Sequence, residues 1–194
     1  MKAVLATKNQ GKVAELQRIL TPYSVDLVAA DYEPGPETGT SFAENAIAKA
    51  QEGVQHTGLP SLADDSGLTV LVMNGMPGIF SARWAGQHGD DQANLDLLLA
   101  QLNDVPDGIR GAAFVCAAAY ALPDGRTHVV EGRMEGCIIR APRGTNGFGY
   151  DPVFIPTGYD VTSAELSPEE KDAISHRGKA FRELAPLFAE ALQT

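Results

Sequence analysis

Two adjacent carboxylates, Asp64 and Asp65, follow an apolar approach and run into Ser66-Gly67. At a strand end such a pair suits metal-assisted attack on a phosphate, because ionised carboxylates are hard oxygen ligands of the kind Mg²⁺ takes. Water activated by a metal or by a carboxylate would complete a hydrolase. The same Asp-Ser-Gly run also makes ordinary turns, so the chemistry has to be argued from other segments as well.

Three such segments stand out. Thr7-Lys8-Asn9-Gln10-Gly11-Lys12 lies between an expected strand and an expected helix. Backbone N–H groups at a helix start favour an anion, and hydroxyl, amide and ammonium groups add to that. It is not a Walker A loop, and a polar turn with a solvated Lys reads equally well. Gly144 to Asp151 is rich in glycine, which lets a backbone approach a ligand closely, and Phe148 and Tyr150 offer flat faces to a base. Its G-x-x-G-x-G spacing is not that of a dinucleotide-binding turn, and a purely structural loop is the alternative. In Ser163 to Lys179, the adjacent donors His176 and Arg177 suit phosphates or carbonyl oxygens, although a solvated charged face would also explain the run. Glu37, Glu44 and Lys49 are further charged candidates, with Glu44 already claimed as a helix-capping partner.

The elements that must position these residues alternate. Residues 2–6 read as a strand, with a helix opening at Lys12 and carrying Val13, Leu16, Ile19 and Leu20. Val25 to Val28 forms a second strand, and residues 31–40 form a loop. Ser41 and Glu44 have capping-box spacing before an Ala-rich helix that ends near Gly58. A short strand over 61–63 leads into the two aspartates, and Leu68 to Val72 forms another, closed by Asn74-Gly75. A helix follows over 91–102, then a long hairpin of Phe114 to Leu122 and Thr127 to Ile139 around Pro123-Asp124-Gly125. Ser167-Pro168-Glu169-Glu170 is a helix start, and an amphipathic helix closes the chain. This pattern predicts an α/β fold with a mixed sheet, in one domain over 1–194.

Composition narrows the function. A chain of 194 residues with 44% hydrophobic and 21% charged residues has the make-up of a globular domain. No apolar run reaches membrane-span length and no basic-then-apolar leader is present, so the expectation is a cytoplasmic protein with no membrane partner. A net charge of −10 argues against coating nucleic acid, but a small anion needs only a local basic pocket. Cys116 and Cys137 have no CxxC partner and are expected to be buried thiols. His56, His88, His128 and His176 show no zinc spacing.

Taken in order, six segments closely resemble the inosine/xanthosine triphosphate pyrophosphatases. They are ATKNQGKVAEL at 6–16, ETGTSFAENAIAKA at 37–50, ADDSGL at 63–68, PGIFSARWAG at 77–86, GFGYDPVF at 147–154 and SAELSPEEKDAISHRGKA at 163–180. Lys8, where the family commonly has Gly, and Trp84 are departures. The resemblance implies an elongated mixed-sheet α/β fold with helices flanking the sheet, two lobes around a central substrate cleft, and a homodimer. It also implies Mg²⁺-dependent cleavage of a non-standard purine nucleoside triphosphate (ITP, dITP or XTP) to monophosphate and pyrophosphate.

By that resemblance Asp65 is the proton acceptor that activates water, and Glu37 and Asp65 hold or orient the metal, with Asp64 close by. Thr7, Lys8, Asn9, Gln10, Gly11 and Lys12 match the triphosphate loop. Lys49, Ser66 and Lys171 match further substrate contacts, with Arg83 a weaker match. Phe148, Gly149, Tyr150 and Asp151, with His176 and Arg177, match the base-recognition segments. Physically, Lys12, Lys49, Lys171 and Mg²⁺ would offset the triphosphate charge and its increase in the transition state. Donors at His176 and Arg177 suit a 6-oxo purine, whereas the 6-amino group of adenine would leave them unpaired, a mismatch that discriminates strongly when buried. A nucleotide-binding module without turnover is the alternative, as is a related hydrolase with another base preference. The module could dispense with Asp65 and Glu37, and the His176-Arg177 pair argues against a pyrimidine enzyme.

Overall fold

A computed structural model describes residues 2–7, 10–32 and 35–193, with the side chains of residues 10–12, 14 and 15 outside the description. The described strands form one six-stranded mixed sheet in the order β2-β1-β3-β4-β5-β6. β1 (Lys2–Leu5) runs parallel to β2 (Asp26–Ala29) and to β3 (Ser61–Val70), whereas β5 (Thr127–Ile138) and β6 (Phe154–Pro156) are antiparallel. β4 (Gly111–Ala121) and β5 flank the tight turn at 122–126, where the Leu122 N–H donates to the Arg126 carbonyl at 2.9 Å. The mixed α/β architecture is the one expected.

The chain divides into two compact units. The first gathers Met1–Asp65, Cys116–Gly132 and His176–Thr194. Its core joins Leu5, Leu62 and Cys116 of the sheet to Leu16 and Leu20 of α1 (Gln10–Leu20) and to Phe181, Leu184 and Phe188 of α5 (His176–Ala191). On α5 these apolar residues recur three or four apart, which puts them on one helical stripe. Full burial of each is worth about 1.5–3 kcal/mol. α2 (Phe42–Thr57) buries mostly small groups, Ala46, Ala50 and Gly53. A Cβ on Gly53 would collide with the Ser61 hydroxyl, so glycine there permits a close approach to β3.

The second unit gathers Ser66–Val115 and Arg133–Ser175. Leu95, Leu98 and Leu102, from α3 (Asp91–Gln101) and its C-cap, pack with Leu68, Val70, Phe114, Tyr150 and Phe154. α4 (Pro168–Ile174) begins in a full capping box: the Ser167 side chain accepts from the Glu170 N–H, and the Glu170 carboxylate accepts from the Ser167 N–H.

Several local expectations are corrected. α1 starts at Gln10 rather than Lys12. The two strands expected around the aspartates are one strand, β3, whose interior carries Asp64-Asp65-Ser66-Gly67. Both faces of β3 are covered, so paired carboxylates replace the apolar residues that a doubly buried strand usually carries. At α2 only half of the capping box forms. Ser41 caps the Glu44 N–H at 3.1 Å, but the Glu44 carboxylate turns to the Thr40 N–H and hydroxyl instead. Cys116 is buried and Cys137 half-buried, and neither is in a disulfide. Among the described residues no helix is long and apolar enough to cross a membrane.

Candidate active site

Successive residues of a strand project to opposite faces, and Asp64 and Asp65 have separate partners. On the Asp65 side stands α2, where Asn45 and Lys49 lie one turn apart and share a face. Lys49 Nζ donates to Asp65 Oδ1 at 2.9 Å, and Asn45 Nδ2 donates to Asp65 Oδ2 at 3.0 Å. The same ammonium reaches Glu37 Oε1 at 2.5 Å, so two carboxylates from different segments converge on one cation.

The loop carrying Glu37 is fastened along α2. The Gly35 N–H donates to Glu52 Oε1 at 2.8 Å, the Gly39 N–H to Asn45 Oδ1 at 2.8 Å, and the Thr40 N–H to Glu44 Oε2 at 2.6 Å. Upstream, the Tyr32 ring stacks on His56 at 4.3 Å, and burial followed by the nearby Glu52 charge pushes its phenol up to about 12.

Electrostatics at this centre follow from one cation shared by two anions. Burial raises the Asp65 carboxyl above its ordinary value, and the Glu37 charge adds to the rise. Lys49 and the Asn45 amide pull the other way without cancelling it. For Lys49, burial alone would lower the ammonium, but Asp65 and Glu37 together hold it above its ordinary value. The site therefore keeps a firmly charged lysine beside a carboxylate with increased proton affinity.

On the Asp64 side stands α5. Arg177 donates Nε–H to Asp64 Oδ2 at 3.2 Å, with both side chains almost fully buried. His176, the first residue of α5, is buried beside it in sequence. A Cβ on Gly132 of β5 would strike the His176 carbonyl and the Ala180 N–H, so that glycine lets the start of α5 lie against the strand.

In the second unit the 144–151 loop is pinned at several points. The N–H groups of Thr145 and Asn146 donate to the Ala164 carbonyl, the Asn146 side chain donates to the Leu166 carbonyl, and the Gly149 N–H donates to Asp91 Oδ2 at 2.9 Å. Asp151, 3% exposed, organises the turn: its Oδ2 accepts the Phe148 N–H at 2.9 Å and Lys171 Nζ at 2.5 Å. Gly147 has a positive φ of 76°, and a side chain there would occupy the space of the Asp151 carboxylate. Lys171 Nζ also sits 5.4 Å from the centroid of the Phe148 ring. Phe148 is 62% exposed and borders an open pocket with Asp91, Gln92 and Thr145.

Tyr150 departs from the expectation of a second flat face. Its ring is in the core and its hydroxyl donates to the Ser81 carbonyl at 2.8 Å, with burial raising the phenol further. Ser66 follows Asp65 in β3 and is half-buried. Arg83 stacks over Phe80 at 5.4 Å. Thr7 follows β1, and its carbonyl accepts from the Ala30 N–H at 3.3 Å. Lys8 and Asn9 lie outside the described residues, and for Gln10, Gly11 and Lys12 only the backbone is described, as the first turn of α1. Asn45 was missed in the sequence. The available signal was an amide in an otherwise Ala-rich helix interior, four residues before Lys49.

The donor set also bears on a metal. Among the described residues no three His, Cys, Asp or Glu side chains form a metal-holding group. Mg²⁺ does not require one: it is commonly held by one or two carboxylates, with waters and substrate phosphates completing the shell. Glu37 and Asp65 already face a common positive charge, which fits that mode.

The protein is thus a mixed α/β fold with a carboxylate–lysine centre in its first unit and, in its second, a glycine-rich loop that exposes an aromatic ring. The Ham1 family profile matches residues 3–187, and the chain belongs to that family. It is 59% identical to the dITP/XTP pyrophosphatase of Streptomyces avermitilis, over 98% of both chains. The crystal structure of a nucleoside-triphosphatase (dITP/XTP pyrophosphatase) of Mycobacterium abscessus is 57% identical and superposes with a TM-score of 0.81, over 96% of this chain and 99% of that one. A HAM1 protein of Coxiella burnetii, 41% identical, superposes with a TM-score of 0.88 over 98% and 99%.

Proposed function

We propose that this protein hydrolyses non-standard purine nucleoside triphosphates (ITP, dITP and XTP) to the monophosphate and pyrophosphate, removing them from the cytoplasmic nucleotide pool. The observation that carries this reading is the convergence of Glu37 and Asp65 on Lys49 in a chain 59% identical to a dITP/XTP pyrophosphatase. The anhydride between the α- and β-phosphorus opens. Water adds its oxygen to phosphorus, its proton passes to Asp65, and pyrophosphate departs.

Each group has a part in that reaction. Asp65, with its increased proton affinity, is the base. Glu37 and Asp65 are the residues to hold Mg²⁺, whose chemistry there is neutralisation of phosphate charge. Lys49 keeps the two carboxylates together and offers its ammonium to the triphosphate. Thr7 to Lys12, at the strand-to-helix junction of β1 and α1, cradle the remaining phosphates. Ser66 and Lys171 add further contacts to them. Phe148 supplies the stacking face, with the Gly149 to Asp151 turn fixing its position, while His176 and Arg177 present donors to the 6-oxo group. The active form is a homodimer, as the family resemblance implies.

Chromatography of products from ITP, XTP, GTP and ATP, with and without Mg²⁺, tests the reading. The expected result is monophosphate and pyrophosphate from ITP and XTP, only with metal and with GTP and ATP spared. Diphosphate and phosphate would place the attack at the γ-phosphorus and overturn it.

A further inference from the structure

Asn45 is 1% exposed and uses both ends of its amide. Its Oδ1 accepts the N–H of Gly39, two residues from Glu37, at 2.8 Å, and its Nδ2 donates to Asp65 Oδ2 at 3.0 Å. The partners fix the amide's orientation: an N–H can only donate and a carboxylate can only accept, so a flipped amide would face two repulsive contacts. Asparagine is also a poor choice for an Ala-rich helix interior by propensity alone.

We propose that Asn45 is a positioning residue that sets the two carboxylates in register, orienting Asp65 through its amide nitrogen and seating the Glu37 loop through its amide oxygen. This assignment rests on the reading of Asp65 and Glu37 as the hydrolytic pair. Neither carboxylate is fixed by its own segment alone. Lys49 draws both together as a point charge without directional preference, whereas the planar amide selects one lone-pair direction on Asp65 and one height for the loop. Glycine at 39 is part of the device: a Cβ there would sit 2.5 Å from Asn45 Oδ1 and 2.9 Å from Glu44 Cβ. Any larger residue would lift the loop off the amide.

The test separates the two ends. Asn45→Asp keeps an acceptor for the Gly39 N–H and removes the donor to Asp65. Gly39→Ala spares that donor and displaces the loop, and at a loop position it does not endanger the core. Each variant should lower kcat for ITP about 10–100-fold, the usual cost of losing a group that orients a ligand or base, with KM changed less than about threefold. Two double-mutant cycles provide a readout that a merely structural role would not move. Asn45→Asp should cost little further kcat in an Asp65→Asn background, and Gly39→Ala little further in a Glu37→Gln background. Wild-type kcat in folded Asn45→Asp, or additive losses in both cycles, would overturn the proposal. If Asn45→Asp does not fold, the Gly39→Ala cycle decides it. Wild-type turnover in Asp65→Asn would instead remove the assignment of Asp65, a failure distinct from that of Asn45.

Discussion

Asp64 and Asp65 are neighbours in sequence but are held from different helices. Arg177 of α5 donates to Asp64 at 3.2 Å, and Lys49 of α2 donates to Asp65 at 2.9 Å. One carboxylate satisfies a buried guanidinium, and the other shares its cation with Glu37. Their substitutions should therefore separate stability from turnover. Asp64→Asn leaves the buried Arg177 charge without its carboxylate, a loss on the order of 3–5 kcal/mol, and thermal melts should show a lower Tm. Asp65→Asn should reduce kcat roughly 10²–10⁴-fold while the fold survives.

The same substitution carries a pH signature. The folded protein binds the Asp65 proton more tightly than the unfolded chain does, because burial raises that carboxyl. The corresponding stability is complete below the ordinary aspartate value of 3.8 and is lost as pH rises through the raised folded value. Asn carries no such charge. Melts without divalent cation should show Asp65→Asn more stable than wild type at neutral pH, with the gap closing as pH falls toward 3.8. A gap that widens on acidification would contradict this account.

Three surface carboxylates have the opposite sign. Glu44, Glu165 and Glu170 each accept a backbone N–H, from Thr40, Thr162 and Ser167, and each titrates below the ordinary value of 4.5. Their contribution is complete above 4.5 and disappears as pH falls through the lowered values. Replacing all three with Gln should flatten the acid side of a Tm–pH curve in that window and leave kcat unchanged.

Asp151 makes a fourth prediction. A single oxygen receives both the Phe148 N–H and the Lys171 ammonium. Asp151→Ala unties the exposed ring from the lysine and leaves their positions to the loop. KM for ITP should rise at least about tenfold while kcat changes less, and an unchanged KM would show that this turn does not meet the substrate.

The helices were legible because their ends are written locally. Ser41, Asp90 and Ser167 all cap as their residue types indicate, and Gly58 closes α2 with a positive φ of 68°. The continuity of β3 was not legible, because Asp-Asp-Ser-Gly has turn composition, and only distant partners make its burial tolerable. Arg177 lies 113 residues from Asp64, a contact that no local window contains. The role of Tyr150 was hidden for a similar reason: an aromatic in a glycine-rich loop reads as open until its hydroxyl is found on Ser81, 69 residues away. The glutamate of a capping box can also be diverted by a nearer hydroxyl, as Thr40 diverts Glu44.

The discontinuous make-up of the first unit sets an order of events at the ribosome. Every residue of the second unit has been synthesised by Ser175, while the first still awaits His176–Thr194. Phe181, Leu184 and Phe188, which fill its core, and Arg177, which answers Asp64, are all translated after that point. The whole sequence of the second unit therefore precedes α5 in the order of translation. The two aspartates are thus completed at different times: the partners of Asp65, at Glu37, Asn45 and Lys49, are already in the chain when β3 is made, whereas Asp64 waits for Arg177.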